Sequence, residues 1–347
     1  MKPLTQQRIS SSMGPSHVVR AWSKILKGQR PALSIEITSK CPLHCPGCYA
    51  YEDDHLGNGV TLNTITDYTG DELVRGVLDL VDRLRPLHLS IVGGDPLVRY
   101  RELELLMPQL LLRGLHVQVV TSAFRPLPES WKGLAQLNVS VSIDGLQAEH
   151  DVRRTPATYD RILKNISGHS ITVHCTITAP MMQRPGYLRE FLEFWTPQPE
   201  IRRVWFSFFT PQVGDERPEI LRPDERRRAI AELRALRRDF PKLDMSDVLI
   251  RQFASPPKSP EKCVFAQTTE TVSADLKTRI TPCQFGGNPD CASCGCMASM
   301  GLAAVADHRL AGVLPVGAIF RASLAIGRML TDPVAAPAPT SELRVLQ

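Results

Sequence analysis

The sequence predicts an α/β protein, a partial (β/α)6 parallel barrel followed by a small Cys-rich C-terminal module. Short apolar or alternating runs recur with longer amphipathic segments between them, which is the pattern of repeated β/α units. That repeat stops near residue 250, and five of the nine cysteines then fall between Cys263 and Cys296.

The elements follow in order. Leu33 to Thr38 alternates Leu33, Ile35 and Ile37 with Ser34, Glu36 and Thr38, and reads as the first strand. A Gly-containing acidic loop separates it from a helix over Asp71 to Leu84. His88 to Val92 is a strand, Arg101 to Leu112 a helix and Leu115 to Val120 a strand. Val139 to Ile143, Ile171 to Thr178 and Arg203 to Phe209 supply three more strands, with helices at Tyr159 to Ile166, Tyr187 to Phe194 and Arg222 to Arg237. Six strands with right-handed crossovers suit a partial barrel better than a full eightfold one. The expected organisation is an N-terminal helical segment (1–30), the barrel (31–250), the Cys-rich module (251–310) and a C-terminal helix with a flexible tail (311–347). Within that tail, Pro333 to Pro339 reads as low complexity.

Composition narrows the class. The chain is 43% hydrophobic and 22% charged, ordinary for a soluble globular protein. Forty-one Lys and Arg against thirty-six Asp and Glu give +5, far below the footprint of a dedicated nucleic-acid binder. The run Arg226 to Arg228 reads as a solvated helix face. Neither a signal-peptide core nor an apolar stretch long enough to span a bilayer is visible, so a cytoplasmic location is expected. Clustered cysteines in such a chain point to metal or redox chemistry before disulfides.

Cys41, Cys45 and Cys48 stand directly after the first strand, in a loop with Pro42, Pro46 and Gly47. Three thiolates so close in sequence can converge on one small object. With His44 or His55 as a fourth ligand that object is a zinc ion; with three thiolates alone it is a [4Fe-4S] cluster that keeps one iron open. Downstream stand Gly93-Gly94-Asp95-Pro96 after the second strand, Thr121-Ser122 after the third, and Ser142-Ile143-Asp144-Gly145 with His150, Asp151 and Arg154 after the fourth.

This series resembles the radical S-adenosylmethionine (SAM) superfamily. The resemblance implies a [4Fe-4S] cluster on Cys41, Cys45 and Cys48, with SAM on its fourth iron, reduced to give a 5′-deoxyadenosyl radical. It further implies that Gly93, Gly94, Asp95 and Pro96, the counterpart of a GGEP motif, bind the methionine amino group. Ser122 would contact the ribose, Ser142 and Arg154 the methionine carboxylate, and Asp144 the ribose or the substrate. Two positions depart from the family: Asp95 stands where Glu is usual, and Gly47 where an aromatic is common before the third cysteine. Tyr49 is expected to compensate over the adenine. A protein reductant such as flavodoxin or ferredoxin is implied as well.

The order Cys263, Pro282-Cys283, Cys291-x-x-Cys294 resembles a shortened SPASM or twitch extension, implying one auxiliary [4Fe-4S] cluster. Cys263, Cys283, Cys291 and Cys294 are the expected ligands, Cys296 the substitute, and a four-cysteine zinc site the alternative. Cys175 alternates with Ile171, Val173 and Ile177, so it should face the helices, leaving His174, Thr176 and Thr178 inside the barrel. The substrate is expected to be a lipid, an isoprenoid or another small molecule, and peripheral membrane contact is compatible. Two features favour a lipid. Val18 to Pro31 and the Cys175-Thr176 pair resemble the adenosylhopane synthase family, and Trp205, Phe206, Phe208 and Phe209 stand near the C-terminal barrel mouth, where buried core is the alternative and stronger reading of them. A ribosomal-peptide maturase is the alternative; an iron–sulfur or zinc protein without catalysis would leave the downstream motifs unexplained.

Overall fold

A computed structural model describes residues 15–57, 59–310 and 313–331. The expected tail at Pro333 to Pro339 and residues 1–14 lie outside the described residues. Seven strands form one sheet: β1 (Ala32–Glu36), β2 (His88–Val92), β3 (His116–Thr121), β4 (Leu137–Ser142), β5 (Ile171–Ile177), β6 (Ile201–Phe208) and β7 (Thr269–Val272). Every pairing is parallel and the order is β6-β5-β4-β3-β2-β1-β7, so β6 and β7 are edges and the barrel is open between them.

The six expected strands are β1 to β6. The count is one short, because β7 pairs with β1 from within the stretch that the sequence divides off as the Cys-rich module. Its four residues, Thr-Glu-Thr-Val, are all buried, yet they are too few and too polar to announce a strand. The pairing is supplied by the neighbour.

Helices α1 (Pro15–Leu26), α2 (Gly70–Leu84), α3 (Tyr100–Leu112), α4 (Gln147–Arg154), α5 (Tyr159–Asn165), α6 (Ala179–Met182), α7 (Tyr187–Trp195), α8 (Pro223–Leu236), α9 (Asp247–Gln252), α10 (Val264–Thr268), α11 (Met297–Asp307) and α12 (Val316–Thr331) complete the fold. The crossover helices bury one stripe each: Leu73, Val77, Leu80 and Val81 on α2, and Leu188, Phe191, Leu192 and Trp195 on α7. These meet the outward-facing Leu33, Ile35, Leu89, Ile91, Val117, Val119, Val139, Val141, Val173 and Cys175, all in the core. Cys175 is 1% exposed and faces the helices as expected, away from the barrel interior.

The inward-facing positions differ in kind. Ser34, Ser90, Gln118, Ser140, His174, Thr176 and Ser207 line a cavity of about 1350 Å³. Filled barrels pack bulky branched side chains at such positions; here small polar ones leave the interior hollow. Along the open edge the chain after residue 290 runs beside β6, with Phe208 N–H donating to Gly295 O at 2.9 Å and Met297 N–H to Ser207 Oγ at 3.2 Å. α10 and α11 pack behind it.

β1 ends on Glu36, which is 1% exposed. Its carboxylate meets His55 Nε2 at 2.7 Å and accepts from Ser273 Oγ at 2.7 Å. Glu36→Ala is therefore expected to strand two buried donors at about 1 to 3 kcal/mol each, read as a lower midpoint in equilibrium urea denaturation. Asp82→Ala, which removes a surface pair with Arg113, should leave that midpoint in place.

Candidate active site

The cysteine loop is built against the turn after β2. Gly94 N–H donates to Thr38 O at 2.8 Å and Asp95 N–H to Lys40 O at 2.9 Å. A Cβ on Gly94 would stand 2.2 Å from Lys40 O, and one on Gly93, at φ +127°, would stand 2.7 Å from Thr38 O. Both positions thus require glycine for the two loops to touch. Asp67 accepts from Thr38 and Ser39 and pairs with Arg99 at 2.8 Å, fixing the start of the loop from below.

Cys41, Cys45 and Cys48 all line the cavity and are half-buried. Burial pushes the Cys41 thiol up to about 12 and raises Cys45 and Cys48 as well. Thiols so placed are protonated by themselves, and a bound metal group is what turns such thiols into thiolates. Of the two histidines near them, His44 is exposed, and His55 has Nε2 on Glu36 and Nδ1 against Phe285 O at 3.1 Å. Among the described residues no three His, Cys, Asp or Glu side chains are placed to hold a single metal ion.

Asp95 is buried, and its carboxylate accepts from Leu97 N, Thr121 Oγ1, Ser122 N and Ser122 Oγ at 3.0, 2.7, 2.8 and 2.5 Å. The side chain is spent on joining the β2 and β3 turns. What it leaves toward the cavity is backbone, together with the acceptor side of Ser122.

Asp144 accepts from Arg154 Nε at 2.8 Å and Arg153 Nε at 3.2 Å. Burial opposes its charge, but Arg154 and then Arg153 hold the carboxyl below its usual range. Arg154 is half-buried; desolvation opposes its charge as well, but Asp144 with the Cys45 and Cys48 thiols keeps its guanidinium charged. His150 orients this group: Nδ1 accepts from Asp144 N–H at 3.0 Å, and Nε2 lies 2.8 Å from Ala157 O. Burial pushes His150 down to about 4, in keeping with a neutral ring that accepts on one side and donates on the other. Gly145, at φ +96°, leaves the room that the Tyr187 hydroxyl fills. Ser142 lines the same wall, half-buried.

The sequence missed Arg217. Where a Cβ would rise from Gly47, Arg217 Nη1 stands 3.0 Å away, its guanidinium 5.2 Å from the Phe209 ring centroid. Glu52 at 2.5 Å and Asp215 at 2.6 Å hold it, while Arg153 Nη2 donates to Pro46 O at 2.6 Å. Two arginines from distant parts of the chain thus stand over the Gly47 turn. Tyr49 lines the cavity but packs edge-on to Phe285 at 5.2 Å, toward the second cysteine group.

Cys263, Cys283, Cys291, Cys294 and Cys296 come together around one small cavity of about 30 Å³. Cys296 Sγ accepts from Gln284 Nε2, and Cys263 Sγ lies 3.1 Å from Ser299 Oγ. Cys296 also lines the large cavity, so the two sites share a wall. Inside the barrel, His174, Thr176 and Thr178 face the large cavity as expected. Trp205, Phe208 and Phe209 reach it too, while Phe206 stays in the core.

Comparison with known proteins bears on this arrangement. The Radical SAM superfamily model matches residues 35–186. A PqqA peptide cyclase of Rhizobium meliloti (strain 1021) is 28% identical over 138 residues, 39% of this chain and 34% of that protein. The match therefore spans about a third of the curated relative's length. Streptococcus suis SuiB bound to its precursor peptide SuiA superposes with a TM-score of 0.52 at 14% identity, over 79% of this chain and 66% of that one. Hexahistidine-tagged anSMEcpe with bound AdoMet gives 0.52 at 15%, over 73% and 74%. These structural likenesses concern the fold. Over residues 35–186, somewhat less than half of the chain, the sequence is thus similar to the Radical SAM superfamily, on a fold shared with both structures.

Proposed function

We propose that Cys41, Cys45 and Cys48 hold the [4Fe-4S] cluster of a radical SAM reaction and that the wall beside them binds SAM. One observation carries this reading: the three thiols, Gly93, Gly94, Asp95, Ser122, Ser142, Asp144 and Arg154 all line a single cavity. Three thiolates complete three irons and leave the fourth for the cofactor. A zinc ion fits less well, since His55 is fully engaged and His44 faces solvent. When bound, the reduced cluster supplies the electron that splits SAM into methionine and a 5′-deoxyadenosyl radical, which takes a hydrogen atom from the substrate.

The chain's own residues then have separable tasks. The Gly93–Asp95 backbone receives the ammonium group, because the Asp95 carboxylate already has four donors. Arg154, oriented through Nε by Asp144, turns the rest of its fork to the cofactor carboxylate with Ser142 beside it. Arg217 and Arg153 cover the loop at Gly47, and Tyr49 braces it against Phe285. One auxiliary [4Fe-4S] cluster on Cys263, Cys283, Cys291 and Cys294, with Cys296 in reserve, would stand between the solvent-side reductant, a flavodoxin or ferredoxin, and the chamber.

The cavity exceeds the roughly 300–1,000 Å³ of ordinary ligand pockets, which leaves room for a substrate beyond SAM. Trp22, Ile25, Phe265, Leu302 and Phe320 make its far end apolar, in favour of a lipid, isoprenoid or other apolar small molecule. A peptide maturase is the second reading, favoured by the PqqA peptide cyclase among the relatives. Among the described residues no helix is long and apolar enough to cross a membrane.

Reduced, reconstituted protein should release 5′-deoxyadenosine, measured by chromatography, and the Cys41, Cys45 and Cys48 triple alanine variant should release none; wild-type turnover in that variant would refute the ligand assignment. Arg154→Ala should weaken SAM binding by about 1.5 to 3 kcal/mol, the range for a charged hydrogen bond, and an unchanged dissociation constant would remove Arg154 from the cofactor site. The triple variant should also keep one four-iron cluster by Mössbauer and sulfide analysis. Zinc in its place, with no iron, would make the C-terminal site structural.

A further inference from the structure

α1 and α12 lie against each other over the apolar end of the cavity. Trp22 Nε1 donates to Ser323 Oγ at 2.8 Å, and a Cβ on Gly327 would stand 2.4 Å from Ile25 O, so the helices touch backbone to backbone. His17 of α1 meets His116 at the start of β3 at 2.9 Å, which puts α1 across the N-terminal mouth of the barrel. The inner faces of the pair are Ala21, Trp22 and Ile25 on α1 with Val316 and Phe320 on α12, all lining the cavity. Val18 and Val305 line it as well, yet they are 46% and 56% exposed. The apolar end of the chamber therefore opens to the surface between α1 and α11.

The outer face of α12 is apolar too. On α12, Ala322, Ala325, Ile326 and Met329 recur at i, i+3, i+4 and i+7 and are all exposed, Met329 at 77%. Val19 and Leu26 stand out from α1 one helical face apart from its cavity residues. A surface helix normally turns such a stripe inward, and a contiguous exposed one marks an interaction site.

Charge agrees with one kind of partner. α1 and α12 carry Arg20, Lys24, Arg321 and Arg328 and neither Asp nor Glu. The chain has no acidic residue before Glu36, although acids nearly balance bases over its whole length. Burial and then Arg20, Arg85 and Lys27 push Lys24 down, the mark of a basic group without an acid near it. Basic residues flanking an apolar helical face are the composition of helices that lie in an anionic bilayer interface.

We propose that α1 and α12 form a face that docks on an anionic bilayer, and that the chamber takes the apolar chain of a membrane lipid through the mouth at Val18 and Val305. The radical SAM reading is needed only for what is then done to that chain. A peripheral attachment of this kind needs no spanning helix.

The test uses the full-length holoenzyme in sedimentation with phosphatidylcholine vesicles, with and without phosphatidylglycerol. Binding should require phosphatidylglycerol and fall about tenfold or more in the I326E/M329E double variant and in R20Q/R321Q. Release of 5′-deoxyadenosine without lipid should be unchanged, since none of these residues touches the cysteine loop. Sedimentation indifferent to phosphatidylglycerol, or unchanged in both variants, overturns the docking face. A wild-type dimer that I326E/M329E converts to a monomer identifies a second copy as the occupant and overturns it too. A phosphatidylglycerol with a photoreactive group at one chain end should label Trp22, Leu302 or Phe320; labels confined to Ile326 and Met329 overturn chain entry. Vesicle binding is scored separately from SAM cleavage, so the loss of either leaves the other intact.

Discussion

A single carboxylate inside the protein, that of Glu36, joins the parts on which the site depends. It belongs to β1, its first partner His55 belongs to the segment after the cysteine loop, and its second partner Ser273 follows β7. The other nitrogen of His55 reaches Phe285, beside Cys283. Barrel, cysteine loop and second cysteine group are thus set relative to one another through one connected group of buried polar atoms. Leaving any member without its partner costs free energy, and that cost enforces the arrangement.

The hollow interior is the second constraint. Alternation in a parallel barrel gives each strand an outer face against helices and an inner face against the axis. On the outer faces the sequence places Val, Ile and Leu; on the inner faces it places Ser, Thr, Gln and His. The first set closes the core by burial, while the second is too small to meet at the axis. The cavity is what remains, and the lateral gap between β6 and β7 is stopped by α10 and α11 rather than by more strands.

Charge then organises the rim. Asp144, Arg153, Arg154 and Glu219 form one connected group, and Glu52, Asp215 and Arg217 another, with the Gly47 turn between them. Each guanidinium has more donors than one carboxylate uses, so the same side chain can hold the loop and still face the cavity. Gly47 is the position where this matters most, because any side chain there would displace Arg217.

Much of this was legible in the sequence. Periodicity located β1 to β6 to within two residues, because the alternation of Leu33, Ile35 and Ile37 with polar neighbours is a local property of burial on one face. The outward orientation of Cys175 and the inward one of His174 and Thr176 followed from the same alternation. Gly93 to Asp95, Ser122 and Asp144 were visible as short motifs because each follows a strand and a parallel barrel gathers strand ends around one cavity, whereas Arg154 reaches it from the end of α4. What only the tertiary structure decided is where partners come from distant parts of the chain. β7 became a strand because β1 offered an edge to pair with. Asp95 proved committed to Thr121 and Ser122 across the neighbouring turn. Arg217 filled the space above Gly47 from a loop far along the chain, beyond β6. Local pattern records which face a residue turns inward; it carries no record of which donor, acceptor or edge will be there to meet it.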